Sequence, residues 1–305
     1  MATKQITTWD EFKTALTETI TENTTYEIMN DIDVSDIVLS STITLSSQNY
    51  RKTFQPPADK EYITINGITA YTNINIFNFR NNGNNPYTFN KIHFTNIMHT
   101  SGMLFSVHTY SDTYMIYFNN CMFSGMVATL FGGGFSSSSP ATHCTLQNCS
   151  INVKCVQMFS ATYNVYQCYI IINPFSDDAY CILRTNSNQY ATYFRDCYLT
   201  GTVRYPFSGS FYLLTYVPEA NGINVYNIKT IITNYNASTK YYLVDRDPGA
   251  GSKYSILCNI EKFYDGNGNQ VTPKLYTPVH QYNLTDSQLK SKTYIQQNTN
   301  FPLYG

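Results

Sequence analysis

Apolar positions in this chain recur in a frame that fits neither a plain amphipathic helix nor strict alternation. In "FNNCMF" (118–123), "LQNCSI" (146–151), "VYQCYI" (165–170) and "FRDCYL" (194–199), an apolar residue precedes two more polar positions, then a cysteine, and two places later another apolar residue. Taking the fourth position as an anchor extends the frame to Ile68, Ile92, Cys121, Cys149, Cys168, Cys197, Ile228 and Ile260, spaced by 24, 29, 28, 19, 29, 31 and 32 residues. Three places before the anchor stand Ile65, Phe89, Phe118, Leu146, Val165, Phe194, Val225 and Leu257, all apolar. Two places after it stand Ala70, Phe94, Phe123, Ile151, Ile170 and Leu199, before the column fades at Thr230 and Lys262. The position just before the anchor is never apolar: Gly67, Lys91, Asn120, Asn148, Gln167, Asp196, Asn227 and Asn259.

The offsets carry geometry. Inward side chains of a strand differ by two positions, a rule that anchor and anchor plus two obey. Anchor minus three and anchor break it, so a bend consumes one residue between them. Asn tolerates the left-handed backbone that a tight bend requires, and Gly tolerates it better. Each unit therefore reads as strand, corner, strand, and repeats with irregular periods point to stacked coils with variable loops. Stacked in parallel, each inward residue lies about 4.8 Å from its equivalent in the next coil. The repeated cysteines are then neighbours in an interior ladder, acting as small apolar side chains beside Ile in the same column.

This pattern resembles the right-handed parallel β-helix proteins of the pectate-lyase-like superfamily over roughly residues 25–265. The resemblance implies an all-β solenoid of about eight to ten coils. At the front, "TTWDEFKTAL" predicts a short helix, with Thr8 and Glu11 in a capping box and Trp9, Phe12 and Leu16 on one face. Such a helix covers the open edge of a first coil. The expected organisation is a capping helix over 1–24, the parallel β-helix over 25–265, and an exit loop with a C-terminal helix or extended tail over 266–305. The tail carries a second capping box, Thr285 to Gln288, and "LTDSQLKSKTYIQQNTNFPLYG" is similar to tails that follow β-helices in some bacterial surface and phage proteins.

Composition narrows the function classes. Charged residues are 13% of the chain, about half the usual share, and Tyr, Asn, Thr, Ser and Ile fill the gap. A net charge of −1 argues against a general nucleic-acid binder. The charge is uneven: residues 1–36 hold eight carboxylates against Lys4 and Lys13, a solvated cap or, in the sharper reading, a docking surface for a basic partner. No apolar run approaches the roughly 18 residues of a membrane span, and "MATKQITTWDEF" has no apolar signal core. Reduced thiols and synthesis in a cytoplasm are expected.

Glycan-cleaving enzymes of the resembled superfamily work with carboxylates, yet Tyr62 to Ser176 contains one carboxylate, Asp112. The remaining acidic candidates are Asp177, Asp178 and Asp196, with Asp245 and Asp247 and the arginines Arg184, Arg195, Arg204 and Arg246 further along. Asp177 and Asp178 fall in "PFSDDAY", a plausible loop, and Asp196 sits at the corner column, where bonding to a turn backbone is its plainer role. Neither Asp177/Asp178 nor Asp245/Asp247 lies in a calcium-loop motif. His143 with Cys144, Cys149 and Cys155 lacks zinc-site spacing. "LFGGGFSSSSP" lacks the ending of a phosphate-binding loop. No cofactor or metal is expected. The 28 tyrosines suit contact surfaces.

The expectation is a non-enzymatic virion structural protein: a bacteriophage fibre, appendage, spike or capsid-decorating protein for host attachment or particle assembly. The resemblance supplies that context and a homotrimer, with other virion proteins and a cell-surface glycan as partners. The alternatives are a polysaccharide-degrading tailspike-type hydrolase or lyase, working through Asp177, Asp178 and Asp196, and a bacterial surface adhesin.

Overall fold

The corner-and-strand frame resolves into parallel sheets in a computed structural model, which describes residues 1–45, 49–81, 87–109, 116–133, 144–159, 164–174, 193–195, 197–205, 211–214, 223–239, 241–244, 255–259, 262–273 and 279–282. The protein is mostly β, and every ladder between its named strands is parallel. One sheet orders eight strands as Ala2–Ile6, Thr24–Ile28, Lys52–Gln55, Tyr87–Asn90, Ile116–Asn119, Cys144–Gln147, Asn164–Tyr166 and Tyr193–Arg195. Its register aligns Tyr26, Phe54, Phe89, Phe118, Leu146, Val165 and Phe194 in one column. The rings of Tyr26, Phe54, Phe89 and Phe118 stack at 5.0, 5.2 and 5.0 Å, the separation that adjacent strands impose.

A second, fourteen-stranded sheet takes the segments after each corner. Ile92–Thr109, Met122–Gly132, Ser150–Phe159, Tyr169–Pro174, Tyr198–Tyr205 and Ile223–Ile232 follow one another across it. Its register builds a column of Ile65, Phe94, Phe123, Ile151, Ile170 and Leu199, and a further one of Phe77, Phe105, Phe131 and Phe159. Phe118 meets Phe105 and Phe123 edge to face at 4.9 and 5.5 Å, so the columns of the two sheets interlock in one core.

The corners take the backbone conformation that the polar column before the anchors requires. Lys91, Asn120, Asn148 and Gln167 all have φ between 53 and 55°. A second bend follows five or so residues later, marked by Gly67 (φ 80°), Asn96 (φ 51°), Gly125 (φ 126°) and Gly201 (φ 112°). Here the register departs from the sequence reading. Ile68 does not stack on Ile92: its carbonyl accepts from Met98 N at 2.9 Å, which sets it beside Ile97. Ile228 likewise pairs with Gly201, not with Cys197. Both belong to the second-bend column of Ile97, Gly125, Val153, Ile172, Gly201 and Ile228. Ile68 after Gly67 and Ile97 after Asn96 repeat the apolar-after-left-handed pattern seen at Ile92 after Lys91 and Cys121 after Asn120, so the local sequence does not separate the two bends, and Ile228 after Asn227 carries the pattern in sequence alone.

The chain start adds more than a helix. Ala2–Ile6 pairs with Thr24–Ile28 as the edge of the first sheet, and the helix α1, Trp9–Thr17, lies between them in sequence. Its capping box is formed by Thr8 and Glu11, and Trp9, Phe12, Ala15 and Leu16 are buried. Phe12 packs edge-on to Phe54 at 5.5 Å and Trp9 to Phe77 at 6.4 Å, so α1 covers the end of the core. At the far end Val279–Tyr282, placed by the sequence in an exit loop, continues the second sheet by pairing with Ser255–Asn259. The second capping box, Thr285 to Gln288, and the rest of the tail lie outside the described residues, as does Ile260. No described helix is long and apolar enough to cross a membrane.

Candidate functional site

The acidic candidates Asp177, Asp178 and Asp196 lie outside the described residues, as do Asp245, Asp247, Arg184 and Arg246. Several described carboxylates have structural roles. Asp33 accepts from Ser35 N at 3.0 Å and Asn66 Nδ2 at 3.0 Å, Asp31 accepts from Thr64 N at 2.7 Å, and Asp265 accepts from Asn267 N and Asn269 N at 2.9 and 2.8 Å. The turn backbone around Ser35 holds Asp33 below the usual carboxylate range, and Asn269 does the same for Asp265.

The cysteines form a closed structural column. Cys121, Cys149, Cys168 and Cys197 are at most 1% exposed. Their carbonyls carry the ladder onward: Ser150 N donates to Cys121 O, Tyr169 N to Cys149 O and Tyr198 N to Cys168 O, each near 3.0 Å. Each thiol also donates backwards, Cys121 Sγ to Phe89 O at 3.3 Å, Cys149 to Phe118 O at 3.3 Å, Cys168 to Leu146 O at 3.8 Å and Cys197 to Val165 O at 3.3 Å. The sequence reading treated these residues as apolar filler. The structure adds a weak donor aimed at the strand before the preceding corner, which Ile in the same column does not supply. Burial pushes the Cys121 and Cys168 thiols far above the ordinary range and Cys155 up to about 12. Held protonated and out of solvent, Cys121, Cys155 and Cys168 are poor nucleophiles and poor metal ligands.

The covered end holds a buried cation. Lys52 is fully buried, and its Nζ donates to Ala15 O at 2.7 Å, Leu16 O at 3.2 Å and Glu18 O at 2.6 Å, the carbonyls that the last turn of α1 leaves without partners. The ammonium lies 5.6 Å from the Tyr87 ring centre. Burial lowers its pKa to about 8, against the opposing pull of Glu18. Glu18 in turn accepts from Tyr26 Oη and from Lys4 Nζ, the latter at 2.9 Å. Partial burial works against its ionisation, but Tyr26 and Lys4 hold it below the usual range. This network fastens the cap.

The open polar surface lies at the first corners. Asn119 Nδ2 donates to Asn90 Oδ1 at 3.0 Å, and Asn90 Nδ2 to Gln55 Oε1 at 3.5 Å, an amide ladder along the strand ends. Beside it a groove of about 230 Å³ is lined by Gln55, Pro56, Pro57, Ala58, Lys60, Asn90, Lys91 and Asn120. Just past the groove Tyr62, 47% exposed, stacks on His93 with ring centres 4.1 Å apart. Sequence reasoning passed over this place because Gln55, Lys91 and Asn120 come from stretches about 30 residues apart and form no local motif.

Comparison with known proteins finds no matching family model, no matching curated protein and no matching solved structure.

Proposed function

We propose that the chain winds as a right-handed parallel β-helix and serves as a non-enzymatic structural protein of a virus particle, a fibre, appendage, spike or decorating protein used in host attachment or assembly. The observation that carries this reading is the run of parallel ladders in two sheets, from Ala2–Ile6 to Tyr193–Arg195 in one and from Ile32–Asp33 to Val279–Tyr282 in the other, with α1 packed over one end of their shared core. Continuous ladders with stacked rings make a stiff body that needs no ligand to hold its form. The interior column is packed with buried thiols and aromatic rings and presents none of them to solvent. An oligomer, with the trimer first, fits the same reading.

The test is direct. Purified protein is incubated with virus particles and host cells, and with capsular and cell-wall polysaccharide in parallel. The reading expects a stable oligomer by light scattering, labelled protein seated on particles by electron microscopy or competition with particle adsorption, and unchanged polysaccharide viscosity. Falling viscosity with new reducing ends supports the tailspike-type enzyme instead. A monomer that neither docks on particles nor competes for cells contradicts the proposal.

A further inference from the structure

We propose that His99 is a proton-held clasp: its doubly protonated ring ties together the two ends of the bend between Thr69–Ala70 and Asn75–Asn81, and loss of one proton opens that corner. The ring is fully buried, and each nitrogen meets a backbone carbonyl, Nδ1 at 3.1 Å from Ala70 O and Nε2 at 2.7 Å from Ile74 O. A carbonyl oxygen only accepts, and a neutral imidazole carries one N–H, so a neutral ring leaves one lone pair facing an oxygen. The imidazolium donates at both nitrogens and satisfies both contacts. The Nε2 contact is as short as bonds made by an ionised donor.

The corner is built around the ring. Strand Ile92–Thr109 pairs His99 with Ala70 on one side and Val127 on the other. Residues 71–74 separate Ala70 from Asn75, which pairs with Met103, whereas the next strand passes from Val127 to Thr129 through Ala128 alone. The wide bend thus has a ring across its mouth, and the tight one has Val127 at the same place. Gly102 completes the seat, because a Cβ there would overlap both Ile74 O and His99 Nε2. Ser101 Oγ adds a bond to Tyr71 O at 3.3 Å.

Among the described residues, little charge on these elements competes for the proton. Thr69–Ala70 and the bend after it offer Tyr71 as a titratable group, Met122–Gly132 offers none, and Cys155, paired with Val127, is held protonated by burial. The strand of His99 also carries His93, and His108, which pairs with Arg80. Asp36 is exposed on the segment whose Val38 bridges to Thr69. The two carbonyls are therefore what holds the charge of the ring. The sign follows: the folded corner favours the protonated ring, so closure is complete in acid and is lost as pH rises through the range in which histidine titrates, roughly pH 5–8. The departing proton goes to water. Tyr71, 64% exposed, rides on the bend, and exposed Val38 and Met98 both pair with Thr69 beside it, so opening the corner shifts an apolar surface patch.

The test uses the full-length protein with its histidine ring nitrogens labelled for nuclear magnetic resonance. At about pH 5.5 both His99 nitrogens carry hydrogen, and by about pH 8 one hydrogen is lost. Over the same span, exchange of the Ile74 amide, which donates to Thr72 O, speeds about tenfold after correction for its intrinsic pH dependence, while Phe118 stays protected. His99→Val, the residue that the next strand places there, leaves Ile74 exchanging fast at both pH values; if that variant does not fold, the ring signals of the wild-type protein decide alone. His93→Asn leaves the Ile74 profile unchanged. The window is separate from those of the cap, whose carboxylates act below 4.5 and whose Lys52 acts above about 8. A singly protonated His99 at about pH 5.5, pH-independent exchange at Ile74, the wild-type profile persisting in His99→Val, or its loss in His93→Asn overturns the proposal.

Discussion

The early and later strands fill the same columns with different materials. Up to Phe131 and Phe159 the core is aromatic: three ring columns stack along the strands and meet edge to face between them. Next along, the same columns hold Leu146 and Val165 in one sheet, ahead of Phe194, and Ile151, Ile170 and Leu199 in the other, with the thiols of Cys149, Cys168 and Cys197 beside them. Both fillings keep the registers of the two sheets, so close packing rather than ring stacking is what the columns require.

The largest effect that sharpens this contrast is expected at Phe118, which touches Phe89, Phe105, Phe123 and Phe131. Phe118→Ala should cost about 3–5 kcal/mol in denaturant unfolding, because four rings lose one face each and the strands cannot close the gap. A cost as small as that of a surface change would mean that the aromatic columns do not interlock.

Next comes the cap. Lys52→Met keeps the length and apolar stem but removes the donor to three carbonyls, so it should cost about 1–3 kcal/mol. The loss should be local, with hydrogen exchange rising over α1 and Ala2–Ile6 while the ladder from Phe118 onward stays protected. Uniform loss of protection would show that the cap and the later strands unfold as one unit.

Cys149→Ala, in the thiol-bearing rungs, should cost only about 1 kcal/mol, for one weak hydrogen bond and a small packing defect. The contrast with Phe118→Ala is the point of the pair: equal costs would erase the difference between the two regions.

The smallest effect is a pH dependence of the cap. Glu11 is held below the usual carboxylate range by the Thr7 backbone and side chain, and Glu18 by Tyr26 and Lys4 against partial burial. A carboxylate whose folded pKa is depressed contributes stability that is present above its unfolded value, near 4.5 here, and is lost as pH falls through the folded value. Fluorescence of Trp9, the chain's one tryptophan, should therefore report loosening of α1 below pH 4.5 and stay constant from pH 5 to 7. Lys52 has the opposite sign. Its folded value of about 8 lies below the unfolded 10.5, so the unfolded chain binds the extra proton between them and stability rises with pH over that window.

The corners were the most legible part of the sequence. Lys91, Asn120, Asn148 and Gln167 share one backbone conformation, and the cysteines after Asn120, Asn148 and Gln167 follow in register, because a left-handed residue between two apolar ones is a strong local signal. The same signal misplaced Ile68 and Ile228, since Gly67 before Ile68 looks like a first corner and register is set between strands distant in sequence, not within one stretch. The cap helix was readable from Thr8, Glu11 and its apolar face, but the strand Ala2–Ile6 was not, because only Ile6 of its five residues is buried. Lys52 was invisible for a related reason: its partners lie 34 to 37 residues away. The groove at Lys91 shares that property, being assembled from three stretches of chain that no short motif connects.

The stacking of the cysteine column is the claim on which the rest depends, and the anomalous scattering of native sulfur in a crystal tests it most directly. The account expects the Sγ peaks of Cys121, Cys149, Cys168 and Cys197 in a single row, each about 5 Å from the next. Four peaks scattered through the molecule, or lying at its surface, would contradict it.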